Sequence, residues 1–158
     1  GLGDLNGDGM LEIGAVGVGP GAWVHSECPG ETAKYGLGCD GSNDFVPKLT
    51  VTGCPNPGQK LVFHITAGFG GQPAFLAFGT GEGALLLAGS CKLLVSPLIA
   101  VAPVGMLFDF GPGWGNRDVP VAVPPGTGGL TFTVQEANVD PFVPTGFAVS
   151  NAVRVEVQ

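Results

Sequence analysis

Two runs of alternating side chains, joined by a turn, constrain this chain more than any other feature. Large apolar residues fall at every second position from Phe45 to Thr52 and again from Leu61 to Thr66. A Gly-Cys-Pro-Asn-Pro-Gly segment at 53–58 separates the two runs. A period of two indicates β-strands, and a Pro/Asn/Gly cluster indicates a turn. We therefore predict a β-hairpin with one apolar face and one face of Lys, Thr and His side chains, as in a sheet packed on one side.

The rest of the chain continues in short strands without an amphipathic helix. Glycine (29) and proline (14) make up more than a quarter of the 158 residues, which implies many turns, while the positive mean hydropathy argues against disorder. Strands at this spacing predict an all-β fold, an immunoglobulin-like antiparallel β-sandwich over residues 35–158. The further predicted strands are 74–78, 84–88, 92–96, 104–110, 119–123, 130–138 and 147–157.

The charge content excludes some partners and suggests another. With net charge −7 and six Lys and Arg, the chain has no basic cluster for nucleic acid or an anionic membrane surface. Its longest apolar passages, 84–88 and 93–104, are too short or too interrupted by proline to span a bilayer. Only 12% of residues are charged, so we expect part of the surface to be covered by other copies of the chain. The alternative is a monomer with a surface rich in Thr, Gly and Ala.

An acidic loop near the start of the chain has the spacing of a calcium site. Oxygen-bearing side chains occupy loop positions 1, 3, 5 and 9, glycine occupies position 6, and a main-chain carbonyl is available at position 7. Carboxylates this close together repel one another without a cation between them. The alternative is a pair of solvated Asn-Gly and Asp-Gly turns. The predicted Ca²⁺ ligands are Asp4, Asn6, Asp8, Met10 and Glu12.

This loop resembles the calcium loops of FG-GAP blades and dockerin repeats, which are extracellular. The likeness covers about a dozen residues and occurs once, so neither whole fold is implied. Ala15 stands where a twelve-residue EF-hand loop carries its last ligand, which favours a nine-residue loop closed by Glu12. We expect residues 1–34 to form an extension: this loop, a short strand at 13–18, and a linker from Gly19 to Tyr35 in which Trp23 packs on the domain.

The four cysteines indicate disulfides. Their spacing does not match a zinc site, and an even number on glycine-rich turns is typical of proteins exported to an oxidising compartment. Four cysteines allow three pairings, and four buried thiols remain the alternative. The residues concerned are Cys28, Cys39, Cys54 and Cys91.

A longer pattern resembles a glycine-rich module at the C-terminus of secreted planctomycete-type bacterial proteins. It spans about 120 residues and includes Tyr-Gly-x-Gly-Cys-x-Gly-Ser at 35–42, Gly-x-Cys-x-Leu-Leu-Val-x-Pro at 89–97, Asp-Pro at 140–141 and Ser-Asn at 150–151. The resemblance implies an extracellular or cell-surface β-sandwich without catalytic residues. In that family the cysteines matching Cys39 and Cys91 often occur alone. The resemblance therefore implies that these two pair, which leaves Cys28 with Cys54.

Candidates for catalysis are few, and we expect no enzyme. His64 lies on the polar side of its strand, and His25 lies in the linker, where geometry is rarely tight enough for general-base chemistry. Trp114 stands in a Gly-Pro-Gly-Trp-Gly segment at 111–115 and could stack on a sugar or insert into a neighbour, although packing on its own core is commoner.

Two functions remain after these exclusions. In the first, the chain is a structural subunit whose segment 1–18, stiffened by Ca²⁺, adds a strand to an adjacent copy and builds a homo-oligomer or filament. In the second, it is a binding or accessory module, directed to carbohydrate or adhesion, of a larger secreted protein. Much apolar, charge-poor sequence beside a terminal strand favours the first.

Overall fold

The computed structural model describes residues 28–158 and the backbone of two short strands that precede them. These two are β1 (Leu2–Gly3) and β2 (Glu12–Ile13). A three-residue 3-10 turn, Ser42–Asp44, is the one helical segment within 28–158, and no helix there could cross a membrane. Ten further strands follow: β3 (Glu31–Tyr35), β4 (Lys48–Thr52), β5 (Lys60–Gly70), β6 (Pro73–Gly79), β7 (Glu82–Ala88), β8 (Cys91–Val95), β9 (Leu98–Met106), β10 (Gly111–Ala122), β11 (Thr131–Val139) and β12 (Phe147–Glu156).

Two antiparallel sheets form the body of the fold. One has three strands in the order β10-β5-β4, and the other has five in the order β3-β12-β11-β6-β9. Every pair of neighbouring strands is antiparallel, and most neighbours are not consecutive in the chain. This is the arrangement of an immunoglobulin-like sandwich. The predicted all-β fold is therefore confirmed.

The core lies between the two sheets, where the alternation of the hairpin predicts it. Apolar side chains of β4 and β5 meet apolar side chains of β6, β11 and β12. His64 and Thr66 point the other way, because successive residues of a strand face opposite sides of the sheet. The largest buried members are Leu49, Leu61, Phe63, Ile65, Leu76, Val134, Val153 and Val155.

The β7–β8 hairpin adds a third layer on the outer face of the five-stranded sheet. Leu94 and Val95 of β8 are buried on the side of the hairpin that faces this sheet. The side-chain Oε1 of Gln135 accepts from the Leu94 N–H at 2.8 Å, and the Thr133 hydroxyl donates to the Gly81 carbonyl at 2.8 Å. Thr133 and Gln135 alternate with apolar residues as the sequence predicts, yet both are buried because the hairpin covers their face.

Three stretches differ from the predicted strand pattern. Residues 31–35 belong to the predicted linker but form β3, which pairs with β12. β3 lies at a sheet edge and is mostly exposed, so it has no apolar alternation that could reveal it. β9 covers 98–106, so the predicted strand 104–110 begins too late and extends past its end, and β10 begins eight residues before the predicted 119–123 and includes Trp114. Prolines and positive-φ glycines in these two strands conceal the period of two.

Candidate functional site

Most of the predicted calcium ligands lie outside the described residues. This holds for Asp4, Asn6, Asp8 and Met10, and Glu12 is described only through its backbone in β2. β1 and β2 pair antiparallel, with Leu2 opposite Ile13 and Gly3 opposite Glu12. Gly3 and Glu12, which flank residues 4–11, are therefore neighbours across the two strands. Trp23 and His25 also lie outside the described residues.

Both predicted disulfides are present. Cys28 pairs with Cys54 at a Cα–Cα distance of 5.7 Å, and Cys39 pairs with Cys91 at 4.9 Å. The first bond joins the segment before β3 to the turn between β4 and β5. The second holds the β7–β8 turn against the segment around Cys39, which forms a bridge with Val149 of β12. The disulfides thus fasten the outer hairpin and the start of the described domain to the sandwich.

The residues of the glycine-rich pattern hold the outer layer together. The Tyr35 hydroxyl donates to the Leu94 carbonyl at 2.8 Å, and burial raises the pKa of this phenol. Gly36 has φ +65°, and the Leu94 side chain occupies the place where a Cβ would stand. The Asp140 carboxylate accepts from the N–H groups of Ser42 at 2.6 Å and Phe142 at 3.0 Å. These four residues of the pattern, Tyr35, Gly36, Ser42 and Asp140, therefore have structural roles.

Ser150 and Asn151 occupy a bulge in β12, where Ser150 bonds to β11 of the same sheet and Asn151 connects the two sheets. The Glu136 N–H donates to the Ser150 hydroxyl at 3.0 Å, in the space opened by the register shift between β11 and β12. The Asn151 amide accepts from the Leu49 N–H at 3.0 Å and donates to the Leu49 carbonyl at 2.9 Å. A single side chain of one sheet therefore satisfies both main-chain groups of a buried residue in the other.

Glu136 is a carboxylic acid buried between the sheets. Its side chain is fully buried, and in the amide orientation that satisfies both groups Asn138 donates to its Oε1 at 3.2 Å and accepts from the Phe69 N–H at 3.3 Å. Its Oε2 has no hydrogen-bond partner among the described residues. Burial raises the pKa of Glu136 well above its ordinary value of 4.5. Sequence analysis missed this residue, although the alternation of Phe132 and Val134 places position 136 on the core face.

His64 belongs to a hydrogen-bonded row on the outer face of the three-stranded sheet. Its Nδ1 lies 2.6 Å from Oδ1 of Asp118, and its Nε2 lies 2.7 Å from Oγ1 of Thr52. The order hydroxyl, imidazole, carboxylate is that of a catalytic triad. However, Thr52 and Asp118 are exposed, and the three residues lie on the outer face of the sheet. We interpret the row as cross-strand pairing on a solvated face.

Exposed aromatic side chains gather where β10 begins. The Trp114 side chain is 73% exposed, so it does not pack on its own core, and Phe110 is 88% exposed. Phe142 stacks on Phe69 with ring centroids 5.8 Å apart. Next to these rings, the side-chain Nδ2 of Asn116 donates to Oδ2 of Asp109 at 2.6 Å. Aromatic faces beside an amide and a carboxylate provide both stacking and hydrogen-bonding surface.

A second exposed apolar surface lies on the outer hairpin and on β9. Leu85 and Leu86 of β7 and Ile99 and Val101 of β9 are all exposed. Large exposed apolar side chains that lie close together mark interaction sites in folded proteins. The low charge content pointed to such a surface, but the sequence did not say which strands carry it.

Fold and contacts together define an all-β, disulfide-bonded sandwich domain whose pattern residues are structural. Two disulfides are typical of proteins that fold in an oxidising compartment. Within the described residues, no group of three or more His, Cys, Asp or Glu side chains is placed to hold a metal ion. Comparison with known protein families, with curated proteins and with solved structures finds no match for the chain.

Proposed function

We propose that this protein is an extracellular structural subunit that assembles into a surface filament or layer through its N-terminal segment. The observation that carries the proposal is the exposed apolar surface of β7 and β9 in a chain with only 12% charged residues. A soluble monomer rarely leaves contiguous apolar surface uncovered. Burial of this surface between copies removes it from water.

The two disulfides support an extracellular location for the assembly. The disulfide bonds Cys28–Cys54 and Cys39–Cys91 are stable outside the cell, whereas reducing compartments keep cysteines as free thiols. The disulfides also stiffen the region from which the N-terminal segment leaves the domain. A stiff base favours strand addition because fewer conformations are lost when the segment is captured.

Binding of Ca²⁺ by the N-terminal loop is part of this proposal. The antiparallel pairing of β1 and β2 brings together the two ends of the acidic segment, as a closed loop requires. Ca²⁺ bound by Asp4, Asn6, Asp8, Met10 and Glu12 would neutralise the carboxylates and stiffen the segment that enters the neighbouring copy.

Deletion of residues 1–19 tests the proposal. We expect full-length protein to form particles much larger than 15.9 kDa by light scattering, with repeating assemblies in electron micrographs. The deletion should remain monomeric with unchanged far-UV circular dichroism, because the described strands from β3 onward are retained. Chelation of Ca²⁺ should shift the full-length protein toward monomer. A full-length protein that stays monomeric at high concentration contradicts the proposal.

The exposed aromatic rings favour a second function, binding of carbohydrate. Trp114 and the Asp109–Asn116 pair would supply stacking and hydrogen bonds to a sugar. Affinity electrophoresis through gels that contain soluble polysaccharides tests this, with Trp114→Ala compared against Leu37→Ala as an exposed control. Retardation that Trp114→Ala alone abolishes, and that persists after deletion of residues 1–19, supports the binding module over the structural subunit.

A further inference from the structure

The edge of β9 over residues 98–102 is an open site for a further strand. Within the described part of the chain, β9 pairs with β6 alone, and no other hydrogen bond reaches residues 98–102. The far end of the strand is closed, because the Arg117 guanidinium donates to the Met106 carbonyl at 2.7 Å and Phe108 bridges to Asn116. The part of the open edge that lies farthest from these contacts is residues 98–102, between Pro97 and Pro103.

β9 lacks the charged side chains that the other sheet edges carry. Four strands form the edges of the two main sheets: β3, β4, β9 and β10. Charged residues occur in β3, in β4 and in β10, whereas β9 has none. Charges on an edge strand discourage pairing with other chains, and an apolar edge without them invites it. Of these four edges, β9 is the one suited to strand addition.

The outer face beside this edge is also apolar. Val101 lies opposite Ala77 in the register of β6 and β9, so the two side chains share one face of the sheet. Ala77 of β6 and Leu87 of β7 line the same shallow groove. Val101 of β9 and Leu87 of β7 therefore both lie beside Ala77 on the outer face of the sheet, next to the open main-chain groups of β9.

We propose that this edge accepts residues 13–18 of a second copy of the chain; the inference rests on the proposed function and names its acceptor. The sequence Ile-Gly-Ala-Val-Gly-Val at 13–18 is uncharged, apolar and about as long as the open stretch of β9. Small side chains allow close approach to a sheet edge without clashes.

The geometry of the sheet makes the assembly open-ended. The N-terminal segment leaves the domain next to β3, since Cys28 is fixed to Cys54 only three residues before that strand. β9 lies at the opposite edge of the same sheet, four strand spacings or about 19 Å away. Donor and acceptor at opposite edges make a heterologous contact, so each copy captures one neighbour and is captured by another. The segment can reach a neighbouring copy whose β9 edge lies close to the β3 edge of the donor.

Lysine substitution within the edge tests the acceptor directly. Val101→Lys should raise the concentration needed for assembly by about tenfold or more, because it places an ammonium group against an apolar strand. Leu130→Lys is the matched control, since Leu130 and Val101 are both 55% exposed and Leu130 lies outside every strand. The control should assemble as the unmodified chain does. Circular dichroism checks that both variants fold.

Photo-crosslinking identifies the occupant. A benzophenone amino acid replaces Ile99, and mixed ¹⁴N- and ¹⁵N-labelled chains are irradiated after assembly. The proposal expects crosslinks between labelled and unlabelled chains that map, by fragmentation after reduction and trypsin digestion, to residues 13–18 within the peptide 1–34. Crosslinks within one chain would show that the segment covers its own edge and would overturn the inference, as would crosslinks to another segment of the partner.

The outcomes separate the two proposals. If the unmodified chain never assembles, the structural function fails and the acceptor fails with it. If the chain assembles and requires residues 1–19, but Val101→Lys assembles as well as Leu130→Lys, the function stands and the assignment of β9 is wrong.

Discussion

Replacement of Glu136 by glutamine should remove a pH dependence from the stability of the fold. The carboxyl group is fully buried between the sheets, and its Oε2 has no partner among the described residues. Glutamine has nearly the same shape and keeps an oxygen that can accept from Asn138. It has no proton to lose, so Glu136→Gln isolates the ionisation of this one group.

The sign and size of the effect follow from the burial. In the folded protein the pKa of Glu136 is raised well above 4.5 by burial, while in the unfolded chain it returns to its ordinary value. The associated stabilisation is therefore complete below pH 4.5 and is lost as the pH rises toward the folded pKa. In that interval the unfolded state has lost one proton that the folded state keeps. The free energy of unfolding should fall on the order of 1 kcal/mol per pH unit for this group.

Urea denaturation at pH 5, 5.5 and 6 measures this slope. It is followed by circular dichroism at a concentration where the protein is monomeric by light scattering. Because other titrating groups are common to both proteins, the difference between wild type and Glu136→Gln reports Glu136 alone. Glu31→Gln, on the exposed edge strand β3, is the control and should run parallel to wild type. Parallel wild-type and Glu136→Gln curves would show that the buried carboxyl is ionised, and the reasoning would be wrong.

Three further variants test the Asn151 hydrogen bonds, the Cys39–Cys91 disulfide and the calcium loop. Asn151→Ala should lower the free energy of unfolding by roughly 2–4 kcal/mol in urea denaturation, because it leaves the buried N–H and C=O of Leu49 unpaired. The double change Cys39→Ala/Cys91→Ala should cost about 4 kcal/mol for a loop of 52 residues, seen as a lower Tm in calorimetry. Asp8→Ala should abolish the heat of Ca²⁺ binding in isothermal titration calorimetry, because it removes a carboxylate ligand.

Each of these tests has its own control. Asn116→Ala removes a partly exposed amide and should change stability by less than about 1 kcal/mol, so equal losses for Asn116 and Asn151 would contradict the role of Asn151 in connecting the sheets. An unchanged Tm without the Cys39–Cys91 bond would mean that this disulfide does not contribute to the stability of the fold. Asp40→Ala alters a carboxylate outside the acidic loop and should leave Ca²⁺ binding intact. Binding that survives Asp8→Ala would remove this residue from the ligand set.

Alternation of apolar side chains along the sequence predicts the strands that have a strong period of two, and it does not predict the strands that lack this alternation. The hairpin with Leu49 and Phe63 on its buried face is found as predicted, because alternation alone decides which face is apolar. β3 was missed because an exposed edge strand needs no alternation. The start of β10 was missed because glycines and a register shift around Trp114 obscure the period.

The contacts between distant segments were less accessible to sequence reasoning. The disulfide pairing agrees with the structure but came from a family resemblance, since four cysteines alone allow three pairings. The tie from Asn151 to Leu49 joins residues 102 apart in sequence, and no local signal marks it. The predicted calcium ligands stay a prediction, because apart from the backbone of Glu12 they lie outside the described residues.

Local sequence patterns are enough to predict that this chain folds into strands, which side of the central hairpin is apolar, and that cysteines are available for disulfides. These properties depend on neighbours along the chain. The tertiary structure was needed to show that Oε2 of Glu136 has no partner among the described residues, that the outer hairpin buries Gln135, and that the edge of β9 remains open within the described fold. Those outcomes depend on which strands lie side by side, and strand order is set by long-range packing that no short stretch of sequence encodes.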